Sequence, residues 1–181
     1  MEAALIRVEV DASFGLPVFD MVGNMSGEVK EARERVRIAL KNINMQIPNL
    51  RITVNLSPAQ LRKEGTSFDL PIAIGVLAAS EKIETDKLEE TLLIGELGLN
   101  GEVKGVRGVL PIVKHAMDCG IKCVILPEEN VKEGAFVQGI KVYGVSHILE
   151  VIEMAISAKD VQKLREMTGV GMMDCKKALA S

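Results

Sequence analysis

Residues 63–80 read Lys63-Glu64-Gly65-Thr66-Ser67-Phe68-Asp69-Leu70-Pro71-Ile72-Ala73-Ile74-Gly75-Val76-Leu77-Ala78-Ala79-Ser80, a polar loop running straight into an apolar segment. Gly65 supplies a turn without the steric cost of a Cβ. Thr66, Ser67 and Asp69 carry short side-chain oxygens of the kind that cap free backbone N–H groups at a helix start. Pro71 suits a first helical turn, where its missing N–H removes no intrahelical bond. From Ile72 to Ala79 the segment is apolar nearly all round, so its helix is expected to be buried on more than one side. Ser67, at the mouth of that helix, is either a nucleophile or a loop and capping group, and the local pattern leaves both readings open.

Upstream, Ala4 to Val10 alternates and is rich in Leu, Ile and Val, which predicts a strand. After the turn residues 11–17, Val18 to Gly23 returns as a second strand, expected as its hairpin partner. Asn24 to Ser26 offers a helix cap. From Gly27 to Asn44, apolar Val29, Ala32, Val36, Ala39, Leu40 and Ile43 recur at three- and four-residue spacing. The opposite face carries Glu28, Lys30, Glu31, Arg33, Glu34, Arg35, Arg37 and Lys41, which predicts an amphipathic helix laced with i, i+4 pairs. These charges read first as a solvated face and second as a ring interface or phosphate contact. Arg51 to Leu56 alternates as a strand, and Ser57-Pro58-Ala59 opens a short turn of helix ending near Lys63.

Downstream, Thr91 to Leu99 reads as a strand, and Asn100-Gly101 as a hairpin turn with both residues at positive φ. Glu102 to Val106 returns. Val109, Leu110, Ile112, Val113, Ala116 and Met117 place a helix over Gly108 to Gly120, with Gly120 as its stop. Lys122 to Pro127 is a short buried strand, Lys141 to Gly144 another, and Ser146 to Ser157 a helix capped by Ser146. Strands and helices mix, with two hairpins among them, so the class is α/β (α+β) rather than a pure parallel sheet. Residues 1–156 form the main domain. In residues 157–181 the texture changes to two helices, Asp160 to Met167 and Met172 to Ala180, which are marginal alone at about 8–9 residues each.

Composition narrows the classes. The chain of 181 residues is 48% apolar but only 3% aromatic, so its core is aliphatic. The net charge of −3 argues against a strongly basic nucleic-acid binder. No 18-residue uncharged apolar run and no basic leader appear, so the expected location is the cytoplasm and no membrane is expected as partner. Cys119, Cys123 and Cys175 have no clustered His beside them. They read as reduced core thiols, and neither metal nor cofactor is expected.

Three blocks together carry a resemblance: residues 15–23 (Gly-Leu-Pro-Val-Phe-Asp-Met-Val-Gly), residues 30–37 (Lys-Glu-Ala-Arg-Glu-Arg-Val-Arg), and residues 51–59 running on into 63–71. From about Ala4 to Glu153 the chain resembles the N-terminal domain of the YifB/ComM proteins, the magnesium-chelatase-like AAA+ ATPases. That domain is similar to the Lon protease proteolytic domain, which implies the fold of ribosomal protein S-five domain two. Lon proteases cleave with a Ser–Lys dyad, and their Lys-Asp-Gly-Pro-Ser loop matches Lys63 to Ser67. The second Lon block resembles Gly95-Glu96-Leu97 through Lys122 and on through Ile125 to Asn130, and puts the catalytic lysine at Leu110. Leucine takes no proton, and a serine hydroxyl needs a positioned base. Lys114, one helical turn on, is the alternative base, displaced by about 5.4 Å. The resemblance therefore implies no catalytic residue, with Ser67 vestigial. No Gly-x-x-x-x-Gly-Lys-Ser/Thr occurs in these residues, so nucleotide hydrolysis does not carry over. The chain is expected to end where the family's linker to its AAA+ module begins.

Residues 158–179, Ala-Lys-Asp-Val-Gln-Lys-Leu-Arg-Glu-Met-Thr-Gly-Val-Gly-Met-Met-Asp-Cys-Lys-Lys-Ala-Leu, carry a second resemblance. They look like the start of elongation factor Ts, whose first helices belong to a ubiquitin-associated-type module that contacts elongation factor Tu. Leu164, Met167, Val170, Met172 and Met173 are the partner-binding residues this implies.

The leading expectation is a non-catalytic assembly and interaction domain whose partners are a second copy or an AAA+ ATPase. DNA is a further expected partner, through the family's link to DNA processing and natural transformation, with Arg33, Arg35, Arg37, Arg51, Arg62 and Lys63 as contacts. The alternatives are a residual serine hydrolase through Ser67 and an elongation factor Tu-binding fragment through the tail.

Overall fold

The computed structural model describes residues 3–46, 49–88 and 90–155. The readings for the tail, including Leu164, Met167, Val170, Met172 and Met173, fall outside them. The first sheet holds β1 (Arg7–Phe14), β2 (Val18–Val22) and β3 (Leu50–Ser57) in the order β1-β3-β2. Helix α1 (Gly27–Asn42) links β2 to β3, and α2 (Asp69–Ala79) follows β3. The second sheet is built from β4 (Thr91–Leu93), β7 (Cys123–Pro127) and β8 (Lys141–Val145), all parallel, in the order β4-β7-β8. Between β4 and β7 lie the two-stranded β5 (Glu96–Leu97) and β6 (Val103–Lys104) and helix α3 (Val109–Asp118). The short α4 (Val131–Gly134) precedes β8, and α5 (Ile148–Ala155) closes the described chain. This is the mixed α/β class expected.

Alternation explains the first sheet. Ile52, Val54 and Leu56 of β3 are buried, while Arg51, Thr53 and Asn55 turn to the other face. β1 and β2 are not a hairpin, contrary to expectation. β1 pairs antiparallel with β3 and β2 pairs parallel with it, so β3 separates them. The strand with the most buried face takes the centre, where both its edges are hydrogen-bonded. Residues 15–17 bridge the two neighbours across the start of β3. Four chain steps reach across the roughly 9.6 Å of two strand spacings.

Helix α1 matches its reading closely. Val29, Ala32, Val36, Ala39 and Leu40 are buried, Ser26 accepts from the Val29 N–H, and Asn44 ends the helix at φ 59°. Helix α2 buries Leu70, Ile72, Ala73, Ile74, Val76 and Leu77, as an all-round apolar helix must. It packs on β1 so tightly that a Cβ at Gly75 would lie 2.7 Å from Cγ2 of Val10. The main core lies between α1, α2, α5 and the first sheet. A smaller core of Ile94, Val109, Val113, Val124, Leu126 and Val137 lies under α3. Val124 and Leu126 face that core while Ile125 faces the main one, so β7 is covered on both sides, as a central parallel strand should be.

Other local readings change. The strand expected over Thr91 to Leu99 is two strands, β4 and β5, because the chain leaves β7 after the Ile94 N–H bonds the Ile125 carbonyl, and Gly95 bonds the Ser67 loop instead. The Asn100-Gly101 hairpin forms, but only Gly101 takes positive φ, at 89°; the Asn100 side chain accepts from the Glu102 N–H. Residues 58–61 make one turn and no helix, because the Lys63 backbone is taken up by Asn24 and Ser26 in an extended bridge.

Candidate functional site

The loop 65–70 enters α2 between two walls. On one side it is stitched to residues 95–97. The Gly95 N–H donates to the Ser67 carbonyl at 3.1 Å, and the Leu70 N–H donates to the Gly95 carbonyl at 3.0 Å. The Leu97 N–H donates to Oδ2 of Asp69 at 3.0 Å. Asp69 is fully buried, and Arg35 of α1 grips it with both arms, Nε to Oδ2 at 2.6 Å and Nη2 to Oδ1 at 3.1 Å. Arg35 also donates to the Glu28 carbonyl and lies 3.5 Å from Glu31. Burial pushes the Asp69 carboxyl above its ordinary value, while the Arg35 bond and the Leu97 N–H oppose that push. Its hydrogen bond to Asp69 in turn raises the Arg35 guanidinium.

Asp69 is thus not the helix cap expected. Phe68 occupies the cap position without a side-chain bond, and Asp69 joins α1, α2 and β5 instead. Toward residues 95–97 the loop bonds are backbone or Asp69 bonds. The hydroxyl of Ser67 makes no hydrogen bond among the described residues. Gly65 does form the expected turn, at φ 83°, and its N–H donates to Glu28.

On its other side Ser67 opens onto a cavity of about 310 Å³, shared with Ile6 and Val8, Ile74 and Gly75 of α2, Leu92 and Leu93 of β4, and Ile112 of α3. α3 therefore borders the cavity, but through Ile112. Leu110 is 40% exposed, and its N–H donates to Glu133 at 2.9 Å. Lys114 is exposed and pairs with Asp118 at 3.3 Å. Neither residue lines the cavity. The stretch before α3 is held from below by Asn130, whose amide bonds both the N–H and the carbonyl of Val106, at 2.9 and 2.8 Å. Gly108 caps α3 in the left-handed region with no side-chain oxygen of its own, and Glu133 takes over that duty at Leu110.

The six candidate DNA contacts do not gather into a free cationic patch. Lys63 is 2% exposed, with its ammonium on the Pro58 carbonyl. Arg35 is committed to Asp69. Arg37 pairs with Glu34 at 2.8 Å, Arg51 with Asp20 at 3.7 Å, Arg62 with Glu64 at 3.3 Å, and Arg33 lies 3.9 Å from Glu34. These last four stay exposed, and exposed pairs exchange partners at little cost. Lys63 and Arg35, by contrast, are structural in this conformation.

Sequence reading missed the Arg35–Asp69 pair and Asn130. Arg35 sits among seven other charged residues of its helix face, and Asp69 looks like a cap. The missed signal was that Arg35 falls next to Val36 and Ala32 at the edge of the apolar stripe. Cys119 is exposed rather than in the core, with its sulfur 3.6 Å from Nε2 of His115, and Cys123 contacts Oγ1 of Thr91 at 2.9 Å. Among the described residues no three His, Cys, Asp or Glu side chains gather at metal-binding spacing.

The family described as subunit ChlI of Mg-chelatase matches residues 8–130. Competence protein ComM of Haemophilus influenzae is 41% identical over 153 residues, covering 84% of this chain and 30% of that protein. YifB of Escherichia coli is 45% identical over 139 residues, 77% of this chain and 27% of its own length. Lon protease 2 of Bacillus subtilis is 30% identical over 149 residues, 77% of this chain and 26% of that enzyme. The chain thus spans less than a third of the length of these relatives.

Proposed function

This chain belongs to the family of subunit ChlI of Mg-chelatase, and from that premise we propose that it is a non-catalytic, Lon-like assembly and interaction domain of a ComM-type AAA+ ATPase linked to DNA processing. One observation carries the reading. At the position where the Lon resemblance requires a lysine, Leu110 projects from α3 without lining the Ser67 cavity, while Lys114 is paired to Asp118. The polar groups of the serine loop hold backbone and neighbouring helices in place. A hydroxyl without a base gains nothing as a nucleophile at neutral pH. The competence protein among the relatives supports the DNA link, and Arg33, Arg37, Arg51 and Arg62 are the exposed cations that would serve it.

Fluorescence anisotropy with single-stranded and forked DNA, at low and moderate salt, tests the reading together with light scattering. A multimer whose affinity falls steeply with salt is the expected result, since phosphate contacts release counterions. A monomer with no DNA binding overturns the assembly and DNA parts alike. A second reading, residual hydrolysis through Ser67, is favoured by the opening of Ser67 onto an apolar cavity. Labelling by a serine-directed probe, lost in Ser67→Ala, would establish it and displace the non-catalytic reading.

A further inference from the structure

A second cavity lies away from Ser67, lined from α1, α2 and the starts of β2 and β3. It holds about 370 Å³, with Leu40, Ile52 and Val76 as its apolar wall and the half-buried Phe19 of β2 beside them. Arg37, Lys41 and Gln46 also line it, and all three are exposed. Arg33, Arg37 and Lys41 recur every four residues along α1. They therefore stand in one row, spanning about 12 Å. The row runs beside β2, because Nη1 of Arg33 donates to the Phe19 carbonyl at 3.4 Å. Glu34 stands next to it, 2.8 Å from Arg37 and 3.9 Å from Arg33. Such exposed pairs yield to another anion at little cost. Lys41 has no ion pair among the described residues.

These groups match the parts of one nucleotide. A ring set in an apolar wall takes a base by stacking, and cations beside it take phosphate. The amide of Gln46 offers a base edge both a donor and an acceptor. At about 370 Å³ the cavity is near the small end of ligand sites, with room for one base. A base inside a duplex is stacked and paired, so it does not reach such a pocket. The cation row continues past the cavity to Arg33, which suits a strand with further phosphates. We propose that this cavity takes one unpaired base of single-stranded DNA, with the base against Phe19 and the flanking phosphates on Lys41, Arg37 and Arg33. The proposal rests on the DNA reading above and gives it a place and a strand preference. Lys41 joins the exposed cations named there, while Arg51 and Arg62 do not line the cavity.

The experiment titrates the full chain with an oligothymidylate carrying one central 2-aminopurine, whose emission changes with stacking. The chain has no Trp and one Tyr, so that emission is read without interference. A saturable emission change is expected, at an affinity that falls steeply as salt rises. Phe19→Leu keeps an apolar side chain but loses the ring. It should weaken strand binding at least about fivefold and remove the emission change. Lys41→Gln, at an exposed position, should reduce the slope of log affinity against log salt by about one, with the melting temperature unchanged. That variant serves if Phe19→Leu does not fold. Strand binding that neither variant alters overturns the proposal and leaves the DNA reading standing, whereas no binding of any strand overturns both. Adenosine monophosphate bound as tightly as the strand would overturn the proposal in favour of a soluble nucleotide.

Discussion

The two flanks of the 65–70 loop are built on opposite plans. Toward α1 and β5 the loop is closed by a fully buried carboxylate, a two-armed arginine and three bonds to residues 95–97. Toward β1 and β4 it is open: a cavity with no charged side chain in its lining, bordered by half-buried leucines. Ser67 sits at the boundary, with its carbonyl on the closed side and its hydroxyl unbonded. The difference teaches that this loop is positioned by its backbone and by Asp69, while the Ser67 hydroxyl takes no part in holding it.

Substitutions can break that contrast. The largest effect is expected at the closed flank. Asp69→Ala strands Arg35, which is largely buried, together with the Leu97 N–H, and should cost about 3–5 kcal/mol of unfolding free energy in urea titration. Arg35→Lys keeps the charge but loses the two-armed grip, so it should fall between wild type and Arg35→Ala. A cost for Asp69→Ala no larger than that of an ordinary surface change would mean the closed flank is not a lock.

Next comes the packing of α2 on β1. Gly75→Ala forces its Cβ against Val10 and should cost about 1–3 kcal/mol, read as a lower melting temperature. Asn130→Ala follows, at about 1–2 kcal/mol, because the backbone of Val106 loses two bonds; faster amide exchange at Val106 should mark the site. The smallest effect is expected at the boundary itself. Ser67→Ala removes no hydrogen bond of the described residues and should leave stability within about 0.5 kcal/mol of wild type. A large loss there would show that the hydroxyl belongs to the closed flank after all.

Much of this was readable before any coordinates. The stripe Val29, Ala32, Val36, Ala39, Leu40 on α1, the all-round burial of α2 and the alternation of β3 followed from period alone. The assignment of Ser67 and Leu110 to a serine and a lysine position is what the Lon resemblance implies, not something that period gives. The pairing of β1 with β2 was misread because adjacency in sequence favours a hairpin, and nothing local says that β3, some thirty residues on, inserts between them. The DNA-contact set was listed by charge, yet charge does not reveal that Lys63 is buried on the Pro58 carbonyl or that Arg35 serves Asp69.

On its own, the order of amino acids settles what is local: which segments are helix or strand, which face of each is apolar, and which chemical groups stand at positions 67 and 110. Packing alone settles what spans distance. Arg35 and Asp69 lie 34 positions apart, and only the docking of α1 against α2 brings a guanidinium to 2.6 Å from a buried carboxylate. The cavity beside Ser67, lined from β1, α2, β4 and α3, likewise belongs to no single segment. Each strand has the same alternating or apolar pattern whether it lies at the edge or the centre, because backbone N–H and C=O groups are identical in every residue but proline, and only the arrangement of the sheets decides which strand takes which place.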